Sequence, residues 1–241
     1  MHHFIRTICA AALLATGLAA QAGTVSFNGW AHGNGNTVNV SVATPVVNFG
    51  GQAGAFRITL SNFLGADSGF NGVFEAYCVE LTQSISLPGG PYNDYSLVSA
   101  SSYFAAKPNV AAKLTNLISY VINDNLVAGA VASYKDDQST ALQLAIWDTV
   151  YDTDSTLASH AGAILSDSSS FSTSGPGNFL NATSLLANAG SASGYSLFVL
   201  QSPMHQDQLI WLRSEVPEPT SLALVALALG GAGFFSRRRS S

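Results

Sequence analysis

The chain has 241 residues and a formal net charge of −5, with 10% charged and 47% hydrophobic residues. Its central stretch, residues 23–216, holds five Lys/Arg against thirteen Asp/Glu, a net charge of −8. That balance excludes the basic face a nucleic-acid binder needs, and the length suits one domain with a real core.

The N-terminus opens with Arg6, continues with an apolar run from Ile8 to Ala20, and ends in Ala20-Gln21-Ala22. Charge, apolar run and small-residue site in that order are the layout of a secretory signal peptide. The run is short of the roughly 20 residues a membrane span needs; a buried N-terminal helix is the other reading. Residues 1–22 are therefore expected to be a signal peptide handled by the Sec translocon. Its removal takes Cys9 away and leaves Cys78 as the one cysteine of the exported chain.

The first half of the body reads as strands. Val38, Val40 and Val42 alternate, followed by Val46, Val47 and Phe49; Phe56, Ile58 and Leu60 alternate next. In "GVFEAYCVEL", Phe74, Ala76, Cys78 and Glu80 fall on one face, and Val73, Glu75, Tyr77, Val79 and Leu81 on the other. Gly33-Asn34-Gly35-Asn36 and residues 65–72 are turn clusters. Pro88-Gly89-Gly90-Pro91 predicts a loop over residues 86–95.

The middle turns helical. Val110, Leu114, Leu117, Ile118 and Val121 form one apolar stripe, with Pro108 in a first-turn position. A second helix is predicted over "DDQSTALQLAIWDTVYD", with Asp136, Asp137 or Ser139 as its cap and Leu142, Ile146, Trp147 and Val150 on its apolar face. A weaker helix is expected over "TLASHAGAILSD", and a polar loop over "SSSFSTSGPGN". "YSLFVLQS" and "DQLIWLR" read as a hairpin turning through Pro203 to Gln206. Strands flanking a helical insert predict an α+β domain, a mostly antiparallel β-sandwich or barrel, over residues 23–214.

The C-terminus has no charge from Ser221 to Phe235, then Arg237, Arg238 and Arg239. Fifteen helical residues span roughly 23 Å, less than the ~30 Å hydrocarbon core. This is a marginal anchor with its arginines on the cytoplasmic side. Pro217, Glu218 and Pro219 precede it. Tripeptide, short apolar helix and arginine cluster together resemble the PEP-CTERM sorting signal of Gram-negative bacteria, here residues 215–241. The resemblance implies recognition of the tripeptide by an exosortase, removal of the tail, and delivery from the inner membrane to the cell surface or extracellular matrix. A permanent tail anchor is the plainer alternative.

An unpaired thiol in an exported protein meets oxidants, so Cys78 calls for a reason beyond packing as a small hydrophobe. A hydrolase would need a histidine base. His32, His160 and His205 sit in no motif, and scattered as they are they make no metal site. Gln143 shares a helical side with Ile146 and Trp147. A buried amide needs a partner, either a backbone hydrogen bond or a covalent bond to the thiol. Tyr77-Cys78-Val79 and Leu142-Gln143-Leu144-Ala145-Ile146-Trp147 resemble the two motifs of the Cys–Gln thioester domains of bacterial surface adhesins. That resemblance implies a β-rich fold with a helical subdomain and a Cys78–Gln143 thioester in a pocket of Tyr77, Val79, Ile146 and Trp147. It also implies covalent capture of a nucleophile on a surface protein or polysaccharide, in adhesion or biofilm, with no cofactor, no metal and no enzymatic turnover. Two other readings stand beside it. One is a non-covalent matrix protein with Cys78 and Gln143 in its core; the other is a secreted cysteine hydrolase using His160 or His205.

Overall fold

The computed structural model describes residues 22–43, 46–127, 135–151, 164–166, 171–174 and 178–214. The expected signal peptide up to residue 21, the sorting tail and His160 lie outside the described residues. In chain order the elements are β1 (Gly23–Trp30), β2 (Asn36–Ala43), β3 (Val46–Ala53), β4 (Phe56–Ser61), β5 (Gly72–Cys78), β6 (Gly89–Ser99), and helices α1 (Ala100–Tyr103), α2 (Pro108–Asn123) and α3 (Lys135–Tyr151). Short strands β7 (Ile164–Ser166) and β8 (Phe171–Ser174), helix α4 (Asn178–Asn188), β9 (Tyr195–Gln201) and β10 (Gln208–Arg213) follow.

Six strands close a barrel in the order β1-β4-β5-β10-β9-β6, with every neighbouring pair antiparallel. Closure gives every barrel strand a paired neighbour on both sides. Alternation fills the inside: Val25 faces Leu60 in register and Phe27 faces Ile58, all four buried. β3-β2-β8-β7 form a second sheet. The mostly antiparallel β architecture with inserted helices matches the expected class, and the body is built on a closed barrel.

The strand that completes closure, β1, is not foreseen by the sequence reading. Asn28-Gly29 interrupts its alternation, and the structure absorbs the break as a register shift between Phe27 and Gly29, where Gly29 has φ +133°. A Cβ at Gly23 would lie 2.3 Å from the Phe63 ring, so a glycine opens the strand. The loop expected over 86–95 is corrected: β6 already begins at Gly89. Its pairing with β1 is irregular, with register shifts on both sides of Val25. Those irregularities admit Pro91, which has no N–H to give a ladder.

The stripe predicted on α2 is buried, Val110, Leu114, Leu117, Ile118 and Val121 alike. α3 goes further than its prediction. From Ser139 to Tyr151 every residue except Asp148 is buried, as in a helix enclosed on all sides. It lies against α2, α4, β2, β3 and β5. The hairpin of β9 and β10 forms as read, in unbroken register from Leu200↔Gln208 to Tyr195↔Arg213. Two other expectations are corrected. The end of the predicted helix over 156–167 is strand β7, and the predicted polar loop contains β8. Both complete the second sheet, a long-range demand that local polarity does not reveal.

Candidate functional site around Cys78

The site begins with where α3 is tied down. Ser139 Oγ accepts the Ala55 N–H at 2.7 Å. Thr140 Oγ1 donates to the Ala53 carbonyl at 2.7 Å and accepts the Asn36 N–H at 3.0 Å. These bonds fix the first buried turn of α3 to the ends of β2, β3 and β4. Every fourth residue then faces the same way: Ser139, Gln143, Trp147 and Tyr151. The Tyr77 hydroxyl lies 3.5 Å from Ser139 Oγ, Gln143 meets Cys78, and the Tyr151 hydroxyl accepts the Leu81 N–H at 2.9 Å. One face of α3 therefore runs along β5 and past its end.

β4 reaches β5 only as far as Phe56↔Ala76. Beyond that point Cys78 has no strand partner on this side, and the Gln143 side chain takes the strand's place. Its Oε1 accepts the Cys78 N–H at 2.9 Å, and its Nε2 donates to the Cys78 carbonyl at 2.8 Å. Gln143 is fully buried and Cys78 is 3% exposed. The amide carbon that a thioester needs is thus clamped to the residue that carries the thiol.

The sulfur itself meets two residues from the far end of the chain. Cys78 Sγ donates to Gln206 Oε1 at 2.9 Å, and Gln208 Nε2 lies 3.6 Å from the sulfur. Gln206 Nε2 in turn donates to the Glu80 carbonyl at 2.8 Å. Gln208 stands opposite Cys78 in the β5–β10 register. Cys78 spends both backbone groups on Gln143, so this is the non-hydrogen-bonded kind of pair, with side chains close. Burial pushes the Cys78 thiol far above its ordinary value, with Gln208 lowering it and Glu80 raising it by smaller amounts. The group is a neutral thiol, not a standing thiolate.

Gln206 and Gln208 were not singled out from the sequence. Read alone, Gln206-Asp207-Gln208 is the end of a turn. The signal that finds it is the pairing of β10 with β5, which carries the start of β10 back to Cys78.

Of the four residues expected to wall a thioester pocket, Trp147 lines the groove that Cys78 and Gln143 line. Tyr77 and Val79 flank Cys78 in an extended chain, where neighbours point oppositely. Tyr77 stacks on Trp211, and Val79 lines a separate cleft with Glu80, Tyr103, Lys107 and Tyr151. Ile146 is buried in the core. In that cleft region burial raises both the Glu80 and Asp207 carboxyls, and the Tyr103 hydroxyl donates to Asp207 at 2.7 Å.

The histidines go elsewhere. His205 Nδ1 lies 3.2 Å from the Asp94 carboxylate and its ring sits 3.9 Å from that of Tyr92, while His32 Nε2 lies 2.9 Å from Glu75. Neither bonds to Cys78, whose sulfur meets Gln206 and Gln208 instead. The Ser202 hydroxyl donates to Asp94 at 2.6 Å and lies 3.4 Å from His205 Nδ1, so Ser202, His205 and Asp94 form one polar cluster away from Cys78. Among the described residues no three His, Cys, Asp or Glu gather to hold a metal, and no helix is long and apolar enough to cross a membrane.

Residues 215–239 match the family model of the PEP-CTERM protein-sorting motif. The motif contains Pro217, Glu218, Pro219 and Arg237, Arg238 and Arg239, the residues on which the sequence reading rested. It points to an exported protein, made as a membrane-anchored precursor and processed by an exosortase. No curated protein and no solved structure matches the chain.

Proposed function

We propose that the PEP-CTERM motif delivers this body to the surface or matrix of a Gram-negative cell, where a Cys78–Gln143 thioester attaches it covalently to a nucleophile in adhesion or biofilm. The observation that carries the reading is the clamp. A fully buried glutamine amide is held at 2.9 and 2.8 Å on the N–H and C=O of the one cysteine among the described residues. Fixed approach is what an intramolecular acyl transfer needs. In the forming step the Sγ–Cδ bond of the thioester is made and the Cδ–Nε2 bond of Gln143 breaks. The thiol proton leaves with the amide nitrogen as ammonia. Burial then shields the product from water. Capture reverses the logic: a target nucleophile takes the acyl carbon, and the sulfur returns to a thiol.

Methylamine tests this. The full chain, purified in mild detergent, should gain one methylamine, at Gln143, and the Cys78→Ala and Gln143→Ala variants should gain none. Incorporation unaffected by Cys78→Ala would refute the assignment.

A second reading has its own observation. Gln143 already satisfies the Cys78 backbone and Gln206 already accepts the thiol, so every group named is paired without a covalent bond. Under that reading the protein is a non-covalent matrix component, and methylamine leaves it unchanged.

A further inference from the structure

The groove that opens on Cys78 and Gln143 has a volume of about 710 Å³, within the range of ligand sites. Among the described residues its lining contains no Asp, Glu, Lys, Arg or His. In a chain whose body carries eight excess negative charges, that neutrality is a property of the groove. Its walls are of two kinds. Trp30, Phe49 and Trp147 supply aromatic rings; Trp30 and Phe49 are half-buried, and Phe49 packs edge-on against Trp147 at 5.2 Å. Gln52 and Gln83 supply amides, groups that both donate and accept, and Thr82, whose hydroxyl donates to Glu80, supplies an oxygen that accepts. Two buried polar atoms of this lining, Trp147 Nε1 and Gln83 Oε1, have no hydrogen-bond partner among the described residues. One is a donor and the other an acceptor, and buried polar groups are rarely left unpaired.

These features discriminate between the two common nucleophiles. A lysine ammonium only donates, and desolvating it here would find no carboxylate to offset the cost. Ring faces alone attract a cation, but they leave the amide donors and the indole N–H unanswered. A sugar ring answers both. Its C–H faces lie on aromatic rings, and its hydroxyls accept from N–H groups and donate to carbonyls.

We propose that this groove takes a neutral, hydroxyl-rich glycan chain and presents one of its hydroxyls to the acyl carbon of Gln143. The covalent half of the proposal rests on the thioester reading. In that step the hydroxyl oxygen bonds to Cδ of Gln143, and the Cδ–Sγ bond breaks with its electron pair going to sulfur. The hydroxyl proton ends on Sγ, giving an ester and a free Cys78 thiol.

The experiment separates binding from bond formation. The full-length Cys78→Ser variant, which has no thiol to form the bond, is titrated with cellohexaose, maltohexaose and chitohexaose, and with a lysine-rich peptide, reading tryptophan fluorescence. Saturable binding of at least one oligosaccharide is expected, weakened about tenfold by a further Phe49→Ala change. Gln52→Ala, an exposed position, repeats the test if Phe49→Ala fails to fold. No oligosaccharide binding, or binding of the lysine peptide alone, overturns the proposal. The wild-type chain is then incubated with the bound sugar and weighed intact. A gain of one oligosaccharide on the ammonia-depleted chain supports the covalent step. A depleted chain that binds the sugar yet gains no mass overturns that step. A wild-type chain at its plain-sequence mass refutes the thioester, while sugar binding by Cys78→Ser still decides what the groove holds.

Discussion

Cys78 is held by three glutamines, and each does something different. Gln143 completes its backbone hydrogen bonding, Gln206 accepts a hydrogen bond from its thiol, and Gln208 faces its sulfur across the ladder. Replacing Gln143 by leucine keeps the volume but leaves a buried N–H and a buried C=O unpaired. At about 1–3 kcal/mol for each such group, the variant should lose roughly 2–6 kcal/mol in urea denaturation. A loss within about 0.5 kcal/mol of zero would mean that water or a shifted chain replaces the amide. The carboxyls nearby give a pH signature. Burial raises both the Glu80 and the Asp207 carboxyls above the ordinary carboxylate range. The folded state therefore holds these protons more tightly than the unfolded state. Their contribution is fully present below the unfolded values and is lost as pH rises through the raised folded ones. Glu80→Gln cannot lose a proton, so between pH 4 and pH 7 it should lose less stability than the wild type. Denaturation midpoints at the two pH values check this. Asp94 works the other way. Burial raises it, but hydrogen bonds from Ser202 and His205 outweigh that and hold it low, so its contribution disappears toward acid.

At the scale of elements, the placement of Gln143 depends on bonds made one turn earlier. Ser139→Ala leaves the buried Ala55 N–H without its acceptor, which should cost about 1–3 kcal/mol. Because Ser139 and Gln143 lie on one face of α3, methylamine capture should slow as well. Unchanged capture with lowered stability would show that β5 alone positions the amide. The same elements show what a sequence can disclose. Periodicity in α2 and in the β9–β10 hairpin is local, and it reads directly onto the structure. For α3, Leu142, Ile146 and Trp147 announce an apolar face, but burial of Ser139 and Thr140 comes from strands more than 80 residues away. β1 and β6 read poorly because glycine and proline break their alternation, while barrel closure supplies the pairing that keeps them extended. Gln143 was legible as a polar residue on an apolar side. Gln206 was not, since only the register of β10 against β5 brings it to the sulfur.

At the scale of the whole molecule, a closed antiparallel barrel carries a helix enclosed on all sides, and the groove where they meet holds the cysteine. A chain bearing the PEP-CTERM motif at 215–239 is exported, and the proposed acyl bond would take its cysteine out of reach of the oxidants met there. The direct measurement is the intact mass of freshly made, undenatured protein from the wild type and from Cys78→Ala. The thioester account predicts a wild-type mass one ammonia below its sequence, and a Cys78→Ala mass equal to its own. A wild-type mass equal to the plain sequence would contradict it.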